Sequence, residues 1–174
     1  MFFSGVDSKD SPLYDRDVLL LMSDSDLADL CRIEAFVGTG PGGQHRNRNY
    51  TAVRVRLKDM DLIVAEESSF RSQKQNLTAA LNKIRLKIAL SWRKDHPENT
   101  SYTHLNENNP LYALELARLL DAVLQSNFDH KKAAESTGLS ASKLLKELAR
   151  NYEVWAEFQA ARAELGLSEL KKPR

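Results

Sequence analysis

A short glycine-rich segment carries the residue pattern best suited to chemistry. Gly42 and Gly43 are adjacent and precede Gln44, in a stretch with too much glycine and proline for a helix or a strand. Adjacent glycines permit unusual backbone conformations and leave N–H groups able to point at a ligand. Such groups can stabilise the oxyanion of acyl transfer, where one donor contributes about 3–4 kcal/mol. The residues alone fit a phosphate-binding loop or a flexible connection equally well.

The other reactive side chains indicate no second kind of chemistry. No serine–histidine–acid set and no zinc-ligand spacing stands out in the sequence. His45 is a candidate general base because histidine titrates near neutral pH, but RNA contact is the stronger expectation for it. The single cysteine, Cys31, is expected to be a small buried residue. We therefore predict no metal site and no cofactor.

Positive charge is concentrated in the middle of the chain. The 174 residues have a net charge of +1, but the stretch from Phe36 to Lys94 contains 12 Lys/Arg and only 4 Asp/Glu. The stretches on either side are acidic. A basic block of this kind is typical of a surface that meets nucleic-acid phosphates, and a merely solvated basic face is the alternative.

Alternating segments on both sides of the glycine-rich stretch predict the strands that position it. Residues 32–37 alternate polar and apolar side chains, and so do residues 51–57. In the second segment the apolar residues share one face, while Arg54 and Arg56 share the other. A turn and a further strand at residues 62–66 follow. We expect a small mixed or antiparallel sheet containing a hairpin with one basic face.

Helices are predicted before and after this sheet, which makes the fold class α+β. Ser23 can cap a short helix over residues 24–30. From Ser69 to near Trp92 the apolar residues recur at helical spacing, so we expect a long helix that packs on the sheet. Basic residues of this helix, Arg85 among them, are expected to lie largely outside its apolar stripe.

The last part of the chain is predicted to be an α-helical extension. Residues 95–110 are polar and aperiodic, as in a linker, and an amphipathic helix follows. A possible helix-turn-helix comes next, with Gly138 at its turn and Ser140 capping a second helix that is expected to continue towards Leu165. The net charge of −2 over residues 95–174 favours packing or protein docking. Basic residues at helical spacing that could instead touch RNA are Lys143, Lys146 and Arg150.

Two motifs together resemble a known family. The segment Gly40-Pro41-Gly42-Gly43-Gln44-His45, with Asn47 and the downstream Ala52-Val53-Arg54, resembles the hallmark segment of class I peptide-chain release factors and their ribosome-rescue relatives. A second match, Arg71-Ser72-Gln73 with Asn76, lies at the start of the predicted long helix. The motifs occur in the family's order and spacing, and the resemblance covers roughly residues 27–94.

The resemblance implies hydrolysis of the ester that joins a peptide to tRNA in the ribosomal P site. Gly42 and Gly43 would shape the loop, and the main-chain N–H of Gln44 would stabilise the transition state. The Gln44 side chain would admit water and exclude larger nucleophiles. The implied partners are the ribosome, at the peptidyl transferase centre and rRNA of its large subunit, and P-site peptidyl-tRNA. A methyltransferase is a further possible partner, because the family's glutamine is often N5-methylated.

The chain departs from the family's pattern just after His45. Arg46 and Arg48 keep or add positive charge, which suits a loop that threads between RNA backbones. Tyr50 can stack on a base or pack under the loop, and we expect packing. The residues predicted to contact RNA are His45, Arg46, Asn47, Arg48, Arg54, Arg56, Arg71, Gln73 and Lys74.

We therefore predict three regions: a Gly-Gly-Gln catalytic domain with an acidic N-terminal segment over residues 1–94, a linker over 95–110, and the extension over 111–174. Little sequence precedes residue 27, where the resemblance begins, so we expect codon-independent activity on stalled ribosomes, or a partner that supplies decoding. The alternative is a non-catalytic ribosome- or RNA-binding module that keeps the same fold.

The expected cellular location follows from two kinds of segment that the sequence does not show. No apolar run reaches the ~20 residues needed to cross a bilayer. The beginning of the sequence has no basic region typical of a signal peptide. We expect a cytoplasmic protein with no membrane partner.

Overall fold

The fold combines one small sheet with seven helices in the described part of the chain. The computed structural model describes residues 14–37, 50–58, 60, 63–95 and 100–173. They form two compact units, one spanning Val18–Ile88 and the other made of the described residues on either side of that span. No helix in the described ranges is long and apolar enough to cross a membrane. The elements in chain order are α1 (Arg16–Leu21), α2 (Asp24–Asp29), β1 (Cys31–Phe36), β2 (Ala52–Leu57), β3 (Val64–Glu67), α3 (Gln73–Ser91), α4 (Tyr112–Gln125), α5 (His130–Ser136), α6 (Ala141–Ala149) and α7 (Tyr152–Glu164).

The sheet is antiparallel throughout, with strand order β1-β2-β3. Val55 of β2 lies at its centre, opposite Ile33 of β1 and Ala65 of β3. The predicted α+β class is confirmed. The third strand begins later than predicted, because Ile63 closes the preceding turn by donating its N–H to the carbonyl of Met60.

The core of the unit Val18–Ile88 lies between the inner face of the sheet and α3. The alternation predicted for β2 is confirmed, since Val53, Val55 and Leu57 are at most 1% exposed. On α3 the buried apolar residues are Ala80, Leu81, Ile84 and Ile88. Ser23 caps α2 as predicted, by accepting a hydrogen bond from the N–H of Asp26.

The sequence predicted that Arg85 lies largely outside the apolar stripe of α3, but the residue is buried. Its side chain is buried and donates hydrogen bonds to the Asp24 carboxylate at 2.8 Å and to the Met22 carbonyl at 2.8 Å. The long apolar part of an arginine packs in a core when its charged end finds such acceptors. Arg85 therefore ties α3 to the start of α2.

The other unit is organised around α4, which buries most of its length. Asp121 of α4 is 3% exposed and accepts hydrogen bonds from Arg16 at 2.7 Å and from Arg93 at 3.2 Å. Both arginines are buried as well. Because an unpaired buried charge is costly, these three residues stabilise one another only as a set.

The described part of the segment before α4 has no regular secondary structure, as expected, but it is packed. The N–H of Tyr102 donates to the Thr137 carbonyl at 2.9 Å, and the N–H of Thr103 donates to Glu115 at 2.9 Å. Residues 100–110 thus contact both α4 and the turn after α5.

The two helices of the possible helix-turn-helix are observed as α5 and α6, but α6 does not continue as far as predicted. Gly138 has φ +68°, and Ser140 caps α6 by accepting from the N–H of Lys143. The predicted single helix towards Leu165 is wrong, because Asn151 has an extended backbone and caps a separate helix, α7. The short helix α1 was not predicted, since six residues are too few to show a helical period.

Candidate functional site

The glycine-rich segment connects two paired strands. β1 and β2 are antiparallel, and their last pair, Phe36 opposite Ala52, brings the two ends of the connection together. Residues 38–49 of this connection lie outside the described residues. They include the predicted site residues Gly42, Gly43, Gln44, His45, Arg46, Asn47 and Arg48, whose roles stay predictions.

A buried asparagine fixes the chain just after this connection. Asn76 is 0% exposed, and its side-chain N–H groups donate to the carbonyls of Thr51 at 2.7 Å and Phe70 at 2.9 Å. Its side-chain oxygen accepts from the N–H of Phe70 at 2.9 Å. One side chain from the first turn of α3 therefore holds both the approach to β2 and the turn that precedes α3.

The buried carboxylate of Glu67 holds the beginning of the same turn, directly after β3. Glu67, the last residue of β3, accepts hydrogen bonds from the N–H groups of Ser68 and Ser69, both at 2.8 Å, and pairs with Lys83 at 2.8 Å. Burial alone would raise the pKa of Glu67, but the hydrogen bonds from Lys83, Ser69 and Ser68 outweigh it and lower that pKa to about 2. Glu67 is consequently ionised at neutral pH.

The start of α3 carries three of the residues predicted to contact RNA. Arg71 lies in the turn before the helix, Gln73 is the first helical residue, and Lys74 follows it; all three side chains are exposed. The Ser72 hydroxyl accepts a hydrogen bond from the N–H of Gln75 at 3.4 Å, as a cap does. The second motif therefore lies where the sequence predicted it, at the beginning of the long helix.

The outer face of the hairpin carries the predicted arginines, but acidic residues lie beside them, so it is less basic than predicted. Arg54 lies between two carboxylates in the sheet register, with Glu34 on β1 at 3.7 Å and Glu66 on β3 at 2.6 Å. Its guanidinium also lies over the Phe36 ring, 5.4 Å from the centroid. Arg56 is half-buried and lies opposite Arg32 and Val64. The positive charge of Arg54 is therefore largely compensated within the sheet.

Tyr50 differs from its expectation as well. The side chain is 68% exposed, so it does not pack beneath neighbouring residues as predicted. An exposed aromatic ring next to the glycine-rich connection is available for stacking on a base.

The sequence did not reveal the structural roles of Glu67 and Asn76 in this arrangement. Asn76 belongs to the second motif, and the motif by itself predicts no structural role for its side chain. For Glu67 a local pattern existed: its place in the strand alternation puts an acid on the inner face, directly before two serines. Its partner Lys83 lies 16 residues further on, so the pairing itself depends on the fold.

Comparison with known proteins agrees with the two motifs. The RF-1 domain matches residues 24–111, about half of the chain, and this range includes both of them. The chain belongs to the RF-1 domain family. Over 57 residues it is also 39% identical to a protein named Peptide chain release factor 2 from Lactiplantibacillus plantarum. That similarity covers 33% of this chain and 15% of the relative's length.

Proposed function

We propose that this chain hydrolyses the ester bond of peptidyl-tRNA in the P site of the ribosome. The observation that carries the proposal is the sequence Gly42-Gly43-Gln44, which lies within the RF-1 domain match on the connection between β1 and β2. A protein that only binds RNA has no physical need for this tripeptide. The reaction adds water across the ester, yielding a free peptide carboxylate and a tRNA hydroxyl.

In the proposed reaction the protein mainly positions water and stabilises charge. The main-chain N–H of Gln44 donates to the oxyanion that develops when water attacks the ester carbonyl, a contribution of about 3–4 kcal/mol for one such donor. The Gln44 side chain orients that water and excludes larger nucleophiles. Gly42 and Gly43 keep side chains away from the reacting atoms. No residue of the proposed mechanism has to act as a charged base.

The described residues support this proposal through the base of the connection. The strand pair Phe36–Ala52 and the hydrogen bond from Asn76 to Thr51 restrict where the connection can begin and end. A catalytic loop is held more precisely when rigid helices or strands fix its two ends. We assign Asn76 a positioning role in the reaction.

RNA contact is proposed mainly for the start of α3 and for the connection. Arg71, Gln73 and Lys74 are exposed and can meet phosphates of rRNA or tRNA. We propose the same role for His45, Arg46, Asn47 and Arg48. Arg54 is a weaker contact in this scheme, because a phosphate would have to compete with Glu34 and Glu66.

We propose further that the protein acts in the cytoplasm on stalled ribosomes, without reading a stop codon itself. A decoding partner and a methyltransferase that modifies Gln44 are the additional proteins that could regulate it. The test is release of labelled peptide from ribosomes in three states: an empty A site, a stop codon in the A site and a sense codon in the A site. Codon independence predicts the fastest release from the empty A site.

The second candidate function is a ribosome- or RNA-binding module without catalysis. It is favoured by the basic block of the sequence, which serves binding whether or not chemistry occurs. Ribosome binding without peptide release in any of the three states, also with Gln44 methylated, would favour this candidate. Release only with a stop codon would instead overturn the codon-independent proposal and keep the hydrolase.

A further inference from the structure

The second helix of the helix-turn-helix of α5 and α6 exposes its basic residues and buries its acidic one. Among the nine residues of α6, all of them described, three are charged: Lys143, Lys146 and Glu147. Both lysines are exposed, whereas Glu147 is 6% exposed. The outward face of α6 therefore carries positive charge without a balancing acid of its own.

The negative charge of Glu147 is balanced by contacts with other residues of the same unit. Its carboxylate accepts hydrogen bonds from the Tyr102 hydroxyl at 3.0 Å and from Arg150 at 2.9 Å, and it lies 2.6 Å from Nδ1 of His104. Arg150 is occupied by this carboxylate and by the Leu105 carbonyl at 2.9 Å. The sequence spacing groups Arg150 with the two lysines, but its guanidinium is bound by groups within the unit.

The first helix of the pair, α5, also exposes more basic than acidic residues. Lys131 and Lys132 are exposed on α5, against one exposed acid, Glu135. Asp129 accepts hydrogen bonds from the N–H groups of Lys131 and Lys132 as the cap of α5. The two helices bury small and apolar residues, and a turn of four residues with a left-handed Gly138 joins them, as in a helix-turn-helix.

We propose that the exposed face of α6 is a second nucleic-acid contact, in which Lys143 and Lys146 bind the phosphate backbone of an RNA helix without reading its sequence. The outward polar residues of α6 are serine and lysine, and the helix has no arginine, asparagine or glutamine. Lysine supplies a point charge that suits phosphate. This contact does not depend on whether the chain hydrolyses peptidyl-tRNA.

The test is the affinity of the full chain for 20-base-pair RNA duplexes of two unrelated sequences and for DNA duplexes of the same sequences, measured by fluorescence anisotropy over a range of salt. The parent chain carries Arg71→Gln and Lys74→Gln, so that the contact proposed at α3 does not mask the result. Lys143→Gln with Lys146→Gln is compared with Lys171→Gln with Lys172→Gln, a pair of exposed lysines near the C-terminal end. Thermal unfolding verifies that each variant folds.

The α6 pair is expected to weaken binding of both RNA duplexes about tenfold at 0.1 M salt, and to reduce the slope of log affinity against log salt by about two. The control pair should change affinity less than twofold, and Lys143→Arg with Lys146→Arg should keep it. Equal loss in the α6 and control pairs, or no loss in the α6 pair, would overturn the proposal. Tighter, sequence-dependent binding of one DNA duplex would overturn its assignment to the RNA backbone.

Discussion

The side-chain amide of Asn76 donates a 2.7 Å hydrogen bond to the main-chain carbonyl of Thr51. This bond joins the first turn of α3 to the residue that leads from the Gly-Gly-Gln connection into β2. The two motifs by which the family is recognised in sequence, one around Gln44 and one at Arg71 to Asn76, therefore have a direct structural link.

The first prediction concerns this link. Asn76→Asp removes the two N–H donations while keeping the size of the side chain, and it places a negative charge against two carbonyl oxygens. We expect a loss of roughly 2–3 kcal/mol in the free energy of unfolding, because buried acceptors lose their donors. Urea unfolding measures this loss. Gln75→Glu, at the exposed neighbouring position, should cost less than about 0.5 kcal/mol.

The second prediction concerns pH and Glu67. Its folded-state pKa of about 2 lies below the usual value of 4.5, so its stabilising effect is complete above about pH 4.5 and is lost as pH falls through 2. The difference corresponds to roughly 3 kcal/mol. Glu67→Gln should therefore be less stable than the wild type at pH 7, and the gap should close near pH 2.

A matched control for Glu67 is the adjacent Glu66, whose pair with Arg54 is exposed. Glu66→Gln should change stability by less than about 1 kcal/mol at any pH. Similar pH profiles for the two variants would contradict the role assigned to Glu67.

The third prediction concerns the buried charges around α4. Asp121→Asn leaves Arg16 and Arg93 without their shared carboxylate, which should cost roughly 3–5 kcal/mol. Guanidinium unfolding of the full chain measures the loss. Asp95→Asn removes the same charge from an exposed side chain and should leave stability within about 0.5 kcal/mol of the wild type.

The fourth prediction separates two groups of arginines and lysines that the sequence treats alike. Arg71→Gln with Lys74→Gln should weaken ribosome binding about tenfold or more and reduce its salt dependence, since both side chains are exposed. Arg54→Gln should weaken it less than threefold, because the charge is already paired with Glu34 and Glu66. The reverse order of effects would show that the outer face of the sheet is the main RNA contact.

Most elements of the fold could be predicted from local patterns. The Ser23 cap, the alternation in β2 and the turn at Gly138 each depend on residues close in sequence, and each is confirmed. The break before α7 also had a local cause in Asn151, a good helix cap, which the amphipathic pattern across it concealed.

Two other departures from the sequence-based expectations, at Arg54 and Arg85, depend on residues distant in sequence. Arg54 is compensated because the strand register places Glu34 and Glu66 beside it, and Arg85 is buried because Asp24 lies 61 residues away in sequence but within hydrogen-bond distance. Counting charges along the chain cannot show such pairs. The same reason hides the exposed positive face of α6, since only the fold shows that Glu147, next to Lys146 in sequence, is turned inwards.

The central claim is that Gly42-Gly43-Gln44 performs ester hydrolysis on the ribosome. The most direct measurement is the single-turnover rate of peptide release from ribosomes with an empty A site, for the wild type, Gly43→Ala and Gln44→Ala, with ribosome binding measured on the same complexes. We predict release by the wild type, a fall of about 100-fold or more in both variants, and unchanged binding. Equal release by all three proteins, or binding without release by the wild type, would contradict the claim.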